Sequence, residues 1–156
     1  MRCVLNLQEN IVTGMADRCF CNAHKPAFTL LHCGTGLANC LANLHNARRA
    51  SSGVVDIVDD QATYRRPLDA PLTAPTEALA RTVWHQVCTS VSFQDLSGRN
   101  AAAAIEASRT LPSQMATLIL PSDVSWNDGG VVAVRSITPA PSLTTVSFQT
   151  KSGSTE

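Results

Sequence analysis

A glutamate and a histidine stand where the sequence could bring them to one end of a sheet. Glu9 opens a stretch with helical spacing at residues 8–20, and His32 closes a continuous apolar run at residues 27–32. A carboxylate and an imidazole that share a cavity can transfer protons. Each residue also has a plain structural explanation, because a glutamate complements the positive end of a helix and a histidine at a strand end is often only hydrogen-bonded. The spacing alone leaves both interpretations open.

A glycine turn follows the histidine. Gly34, Thr35 and Gly36 open a second helical stretch, which invites comparison with the loop that holds a dinucleotide. That fingerprint needs a third glycine where this chain has Asn39, although Asp56 lies about twenty residues on, as the motif requires. The pattern therefore favours a turn that needs glycine for its backbone over a dinucleotide site.

Candidate metal ligands are sparse. Cys19-x-Cys21-x-x-His24 has no second pair of ligands at the spacing of a zinc site, so we expect buried or half-buried free thiols. Asp59 and Asp60 could attract a cation, but an acidic pair in a loop is usually solvated. We therefore predict no metal site in this chain. The six cysteines are Cys3, Cys19, Cys21, Cys33, Cys40 and Cys88.

The elements that must position these residues alternate between strand and helix. Such alternation predicts an α/β fold, a parallel sheet flanked by helices on both faces. Residues 59–75, with three prolines, form a long irregular connection. The predicted strands are residues 2–7, 27–32, 54–58, 83–88 and 116–120, and the predicted helices are residues 8–20, 34–49, 77–82 (capped by Thr76) and 97–109.

Composition narrows the class of protein. The chain has 156 residues, 44% of them hydrophobic, which suits one domain with a sizeable core. Twelve basic residues balance twelve acidic ones, so charge favours neither nucleic acid nor an anionic membrane as a partner. No apolar run approaches the roughly 20 residues that span a bilayer, and no signal peptide is visible, so we expect a cytoplasmic protein. Residues 1–130 read as the domain, and residues 131–156, rich in Ser, Thr and Pro, as a linker or disordered tail.

Several separate motifs occur in an order that resembles a known family. Over roughly residues 3–130 the chain is similar to the N-terminal, pyrimidine-binding domain of thiamine-diphosphate-dependent enzymes, in the acetolactate-synthase-like and benzoylformate-decarboxylase-like branches. The motifs are Glu9, MAD at 15–17, KPAF at 25–28, LLH at 30–32, GTG at 34–36, LANLHNARRA at 41–50, DDQATY at 59–64, RPLDAPLT at 66–73 and ATLILPSDVSWNDG at 116–129.

The resemblance implies a role for each candidate residue. Glu9 would hydrogen-bond the aminopyrimidine of thiamine diphosphate and activate the cofactor, and His32 would relay protons. Gly34, Thr35 and Gly36, with Asn39, would line the pyrimidine half of the cofactor site. The substrate would be a small 2-oxo acid, decarboxylated with or without carboligation. The partner would be a second copy in a homodimer, or another chain that supplies the diphosphate-binding domain, which would hold Mg²⁺.

Several residues depart from the family pattern, which suggests that this chain does not function as the family's complete enzymes do. Arg18 and Asp59 replace glycines, each at a cost of about 1 kcal/mol or more if the backbone needs a positive φ, and Gly53 replaces a common proline. The family domain also begins before the first residue of this chain. We therefore expect an N-terminally truncated domain without activity on its own. The alternatives are a non-catalytic interaction or dimerisation fragment, or the product of a decayed gene.

Overall fold

The computed structural model describes residues 2–83 and 85–132, and these form alternating helices and strands. The strands are β1 (Ala27–Leu31), β2 (Val54–Asp60), β3 (Gln86–Thr89) and β4 (Met115–Pro121). The helices are α1 (Glu9–Ala23), α2 (Cys33–Arg49), α3 (Thr76–Arg81), α4 (Phe93–Asp95), α5 (Ala101–Arg109) and α6 (Ser122–Ser125), with a 3₁₀ turn at Arg66–Leu68 and a π turn at Leu96–Asn100. Of the predicted tail, residues 131–132 belong to no element, and residues 133–156 lie outside the described part.

The four strands of the described residues form one parallel sheet in the order β1-β2-β4-β3. The central strands β2 and β4 are buried almost throughout, as is usual for a parallel sheet covered on both faces, and this burial includes Asp56 of β2. Neighbouring strands are in a register that pairs Leu31 of β1 with Val58 of β2. The residues that follow this pair therefore emerge together at the carboxyl edge of the sheet.

Helices cover both faces, as predicted. On one face, α1, α2 and α3 enclose a cluster that includes Leu37, Leu44 and Met115, all fully buried. On the other face, α5 packs Ala104 against Val55 of the sheet. Burial of such side chains contributes about 1.5–3 kcal/mol each, which is the main stabilising contribution to this layered fold. No helix of the described residues has both the length and the apolar composition needed to cross a membrane.

Several predicted boundaries were wrong. Residues 2–7 form no strand, and Leu5 and Leu7 are 93% and 99% exposed, because this short run pairs with no strand and gains no burial. Strand β2 continues to Asp60, so Asp59 belongs to the sheet and not to the following loop. Thr76 is the first residue of α3 and not its cap.

The cost expected from the replaced glycines does not arise at Arg18 or Asp59. Arg18 lies inside α1, which continues to Ala23, and Asp59 lies in β2; neither has a positive φ. Gly53 is needed for space, since a Cβ there would lie 2.2 Å from the carbonyl oxygen of Ser108. The non-glycine residues with positive φ are His24, Cys33, Ser51, Asp69 and Leu72.

Candidate functional site

His32 and Asp59 meet at the carboxyl edge of the sheet. They follow the paired residues Leu31 and Val58 on adjacent parallel strands, at the edge where α/β proteins bind ligands. His32 Nδ1 lies 2.9 Å from Asp59 Oδ2, and the side chains are 66% and 41% exposed. The sequence pointed to His32 but not to Asp59 as its partner. The parallel register was the signal that could have found it, because it brings the residue after each strand pair together.

Asp59 also anchors the start of α2. Its Oδ1 accepts a hydrogen bond from the backbone N–H of Cys33 at 2.8 Å. This N–H belongs to the first residue of α2, where no carbonyl of the helix can pair with it, and a negative charge there suits the helix dipole. The two oxygens of one carboxylate thus hold the His32 ring and the N-terminus of the helix that follows it.

Cys33 is buried beneath this pair. Its side chain is 3% exposed, its φ is 55°, and its Sγ lies 3.9 Å from His32 Nδ1. Burial, followed by the negative charges of Asp59 and Asp60, raises the pKa of the Cys33 thiol to about 11. A thiol with such a pKa stays protonated near neutral pH, so Cys33 in this state is no nucleophile.

Glu9 lies against the first turns of α2. It is the first residue of α1 and half-buried, and its Oε2 accepts a hydrogen bond from Asn39 Nδ2 at 3.3 Å. A Cβ on Gly36 would lie 3.4 Å from Glu9 Oε1, so Glu9 approaches the glycine turn closely. Oε1 has no hydrogen bond to any residue that the structure describes. The structure thus brings together Glu9, Gly36 and Asn39, three of the residues singled out from the sequence.

Gly34 and Thr35 have different surroundings from Gly36. Gly34 is buried against the loop before α3, and a Cβ on it would lie 2.5 Å from Ala74 Cβ and 2.9 Å from Thr76 Oγ1. Thr35 is exposed. The glycines of the turn therefore serve two purposes, since Gly34 makes room for a neighbouring loop and Gly36 allows Glu9 to approach.

Glu9 and His32 come to the same end of α2, although the strand expected before Glu9 at residues 2–7 is not formed. His32 is the residue immediately before α2, and Glu9 contacts the turn that begins one residue later. No hydrogen bond joins the two side chains in the described structure. They are arranged as two separate polar groups on one rim, each with its own partner.

The hydrogen-bonding groups at Glu9 fit the pyrimidine half of thiamine diphosphate. An aminopyrimidine presents ring nitrogens, which accept hydrogen bonds or share a proton, and an amino group, which donates. Glu9 Oε1 and the Asn39 side-chain amide offer groups of both kinds. The dinucleotide alternative does not fit. Asp56, which would have to reach a ribose, is fully buried in β2 and accepts a hydrogen bond from Thr29 Oγ1.

The cysteine pattern gives a different result from the one expected. Cys19 and Cys21 are exposed, which corrects the prediction of buried thiols there, and all six cysteines are free as predicted. These two cysteines and His24 do not gather as metal ligands. Within residues 2–83 and 85–132, the one cluster of metal-ligating side chains is formed by His32, Cys33 and Asp59, the last of which was expected to be solvated.

A concave feature lies beside Asp60 at the same edge. It is a cavity of about 280 Å³. Arg66 Nη2 donates to Asp60 Oδ2 at 2.8 Å inside it, while the buried Nε of Arg66 has no partner among the described residues. Its wall includes Ala74 and Thr76, the two residues that pack on Gly34. The full lining is Asp60, Arg66, Ala74, Pro75, Thr76, Glu77, Ala78, Thr89 and Ile119.

Comparison with known proteins assigns this arrangement to one family. The model of the thiamine pyrophosphate enzyme, N-terminal TPP binding domain, matches residues 1–86. A protein from Mycobacterium tuberculosis with the provisional name acetolactate synthase large subunit IlvX is 50% identical over 133 residues, which cover 85% of this chain and 25% of that protein.

Solved structures share the fold. A thiamine diphosphate-dependent 4-hydroxybenzoylformate decarboxylase from Rhodococcus jostii has a TM-score of 0.76 at 20% identity, over 82% of this chain and 24% of that one. A benzoylformate decarboxylase from Polynucleobacter necessarius has a TM-score of 0.76 at 22% identity, over 86% and 26%. An enzyme from Mycobacterium smegmatis, provisionally described as thiamin diphosphate-dependent, has the same TM-score at 25% identity, over 86% and 26%. The chain spans about a quarter of the length of the relatives that it matches.

Proposed function

The chain belongs to the family of thiamine pyrophosphate enzymes, whose N-terminal TPP binding domain it matches, and we propose that it supplies the pyrimidine half of a thiamine diphosphate site. The observation that carries this proposal is the half-buried Glu9 carboxylate at the glycine turn. One of its oxygens accepts from Asn39 and the other faces Gly36 without a protein partner in the described structure. A carboxylate oxygen without a protein partner can share one proton with a pyrimidine ring nitrogen, since each of the two atoms is an acceptor in its unprotonated form.

In this proposal each residue of the turn has a defined task. Glu9 Oε1 shares a proton with a ring nitrogen of the pyrimidine, and Asn39 orients the Glu9 carboxylate through Oε2. Gly36 keeps side-chain volume away from the ring, while Gly34 and Thr35 shape the turn. When bound, thiamine diphosphate supplies an electron sink for cleaving a bond next to a carbonyl group.

His32 is the proposed proton carrier for the substrate. A carboxylate at Nδ1 favours the tautomer that carries its proton on Nδ1, which leaves Nε2 as the acceptor. Asp59 occupies that position, and the His32 side chain is exposed enough for a substrate to reach. We expect a small 2-oxo acid as the substrate, decarboxylated with or without carboligation. A group positioned in this way contributes about 10²–10⁴-fold to a proton-transfer step.

The complete reaction would need more than this chain. Because the chain corresponds to about a quarter of its relatives, we propose that another domain holds the diphosphate and Mg²⁺. That domain would come from a different chain, and the present chain by itself would show no turnover. A cytoplasmic location is part of the proposal, since six free thiols suit a reducing compartment.

Calorimetric titration of the purified chain tests the cofactor proposal. Thiamine diphosphate with Mg²⁺ should bind saturably, and thiamine without the diphosphate should bind about as tightly, because only the pyrimidine is recognised. Glu9→Ala should weaken both by about tenfold or more, as expected for loss of a hydrogen bond to a charged group, whereas Glu106→Ala, an exposed glutamate on α5, should leave both unchanged. Absence of binding by a chain shown to be folded by circular dichroism would contradict the proposal.

A second candidate function is association through β1. Phe28 and Leu30 point from this edge strand to the same face as Val55, but α5 covers Val55 and leaves them 45% and 72% exposed. Uncovered apolar side chains on an edge strand can mediate association with another chain, which we take to be a second copy of this one. Sedimentation analysis would show a dimer that Leu30→Lys dissociates. A monodisperse monomer at all concentrations would count against this candidate.

A further inference from the structure

We propose that His32, Cys33 and Asp59 form a binding site for a thiophilic divalent cation of the Zn²⁺ class. One ligand atom of each residue lies within 4.8 Å of the others, at the rim of the sheet edge. The three residues come from adjacent strand ends, and they supply nitrogen, sulfur and oxygen. This site differs from the Mg²⁺ site of the proposed cofactor, because that ion would be held by another domain.

The spacing of the ligand atoms suits a tetrahedral ion after a small adjustment. Metal bonds of usual length would separate nitrogen from oxygen by about 3.3 Å and nitrogen from sulfur by about 3.6 Å. In the structure, His32 Nδ1 lies 2.9 Å from Asp59 Oδ2 and 3.9 Å from Cys33 Sγ. Each of these two distances changes by only a few tenths of an ångström. The distance from Cys33 Sγ to the Asp59 oxygen lies within 4.8 Å and would shorten towards about 3.6 Å. The exposed side of His32 and Asp59 gives an ion access from solvent.

Existing contacts already orient two of the ligands. Asp59 is held through Oδ1 by the backbone N–H of Cys33, which leaves Oδ2 for a metal. The backbone of Cys33, with φ of 55°, turns its side chain beneath His32 and away from solvent. Partners of this kind, which fix a ligand without touching the ion, are a regular feature of metal sites.

The ligand types select the ion. A thiolate and an imidazole favour Zn²⁺ and Co²⁺ over Mg²⁺, which prefers oxygen alone. Three protein ligands leave a fourth position for water, as in open zinc sites. On binding, the ion takes the place of the proton between His32 and Asp59, and that proton moves to the other ring nitrogen of His32. Cys33 releases its thiol proton to solvent. No electron transfer is needed. In the ion-bound state Nε2 carries the proton, so His32 does not act there as the proton acceptor of the proposed reaction.

Titration with Co²⁺ gives a direct test that needs no cofactor. The background should be the full chain with Cys3, Cys19 and Cys21 changed to Ser, since these exposed thiols could bind metal themselves. We expect saturation at one Co²⁺ per chain, a thiolate-to-cobalt charge-transfer band, and displacement by Zn²⁺. Because the readout is metal binding alone, failure of the thiamine diphosphate titration would not affect it.

Variants assign the ligands. Cys33→Ser should abolish the charge-transfer band, and His32→Gln and Asp59→Asn should each weaken Co²⁺ binding by about tenfold or more. Asp59→Asn retains an oxygen for the Cys33 N–H, so it preserves the fold if Cys33→Ser does not. The matched control is His45→Gln, an exposed histidine on α2, which should bind as the background does. A folded background chain without Co²⁺ binding, or a spectrum that Cys33→Ser and Asp59→Asn leave unchanged, would overturn the proposal.

Discussion

His32 Nδ1 lies 2.9 Å from Asp59 Oδ2, and the same Asp59 carboxylate accepts the first backbone N–H of α2. The two residues stand 27 positions apart in the sequence and are joined by the parallel register of β1 and β2. One side chain thereby couples the orientation of the histidine to the start of the helix that carries the glycine turn. A change at Asp59 should affect both the stability of the fold and the properties of the site.

Loss of the Asp59 carboxylate should destabilise the chain through α2. Asp59→Ala leaves the Cys33 N–H without its acceptor, so we expect a loss of about 0.5–2 kcal/mol in the free energy of unfolding, as for removal of a helix cap. Asp59→Asn, which keeps an acceptor oxygen, should lose less. Urea denaturation measures both, with exposed Asp128→Ala as the control. Equal stability of Asp59→Ala and the unchanged chain would show that the contact contributes nothing to the fold.

The two glycines of the turn should respond differently to a methyl group. Gly34→Ala places a Cβ 2.5 Å from that of Ala74, so we expect it to destabilise by about 1–3 kcal/mol, as overpacking does. Gly36→Ala meets nothing closer than Glu9 Oε1 at 3.4 Å and replaces a glycine inside a helix, so its stability should be unchanged or higher by up to about 1 kcal/mol. Thermal unfolding of the two variants side by side gives the comparison. If Gly34→Ala proved more stable than Gly36→Ala, the loop at Ala74 would have to move aside without an energetic cost.

Alkaline pH should destabilise the fold through two buried thiols. Burial is the main cause that raises the pKa of Cys33 to about 11 and that of Cys40 to about 12, from an ordinary value of 9.0. Above pH 9 the unfolded chain loses thiol protons that the folded chain retains, so the free energy of unfolding falls as pH rises towards 11 and does not change from this cause below pH 9.

Urea denaturation on either side of pH 9 measures this dependence. Cys40→Ala should reduce the fall in stability above pH 9, because one of the two raised thiols is gone. Cys21→Ala, at an exposed position of α1, is the matched control and should keep the full dependence. Stability that stays constant or rises between pH 9 and pH 11 would contradict the prediction.

The sequence alone determined which residues build the sheet and its helices. The mainly apolar runs of β1 and β4, the Val-rich and Ile-containing run of β2, and the helical spacing after Glu9 are local patterns, and each led to the right element. Residues 2–7 looked as apolar as a strand but had no partner, and pairing is a property of the tertiary structure. The loss of stability predicted for Arg18 was also wrong, because the length of α1, and not the type of residue 18, decides where the backbone turns.

The candidate site likewise has residues that the sequence identified and contacts that only the fold decided. Glu9, His32 and Gly36 could be singled out from the sequence by their types and their positions near element ends, and Asn39 by the family resemblance. The role of Asp59 could not, since a strand register across 27 positions brings it to His32 and Cys33. The sequence therefore determined the inventory of polar groups at this edge. Only the folded sheet decided which of them touch, because contact distance depends on strand pairing and not on separation along the chain.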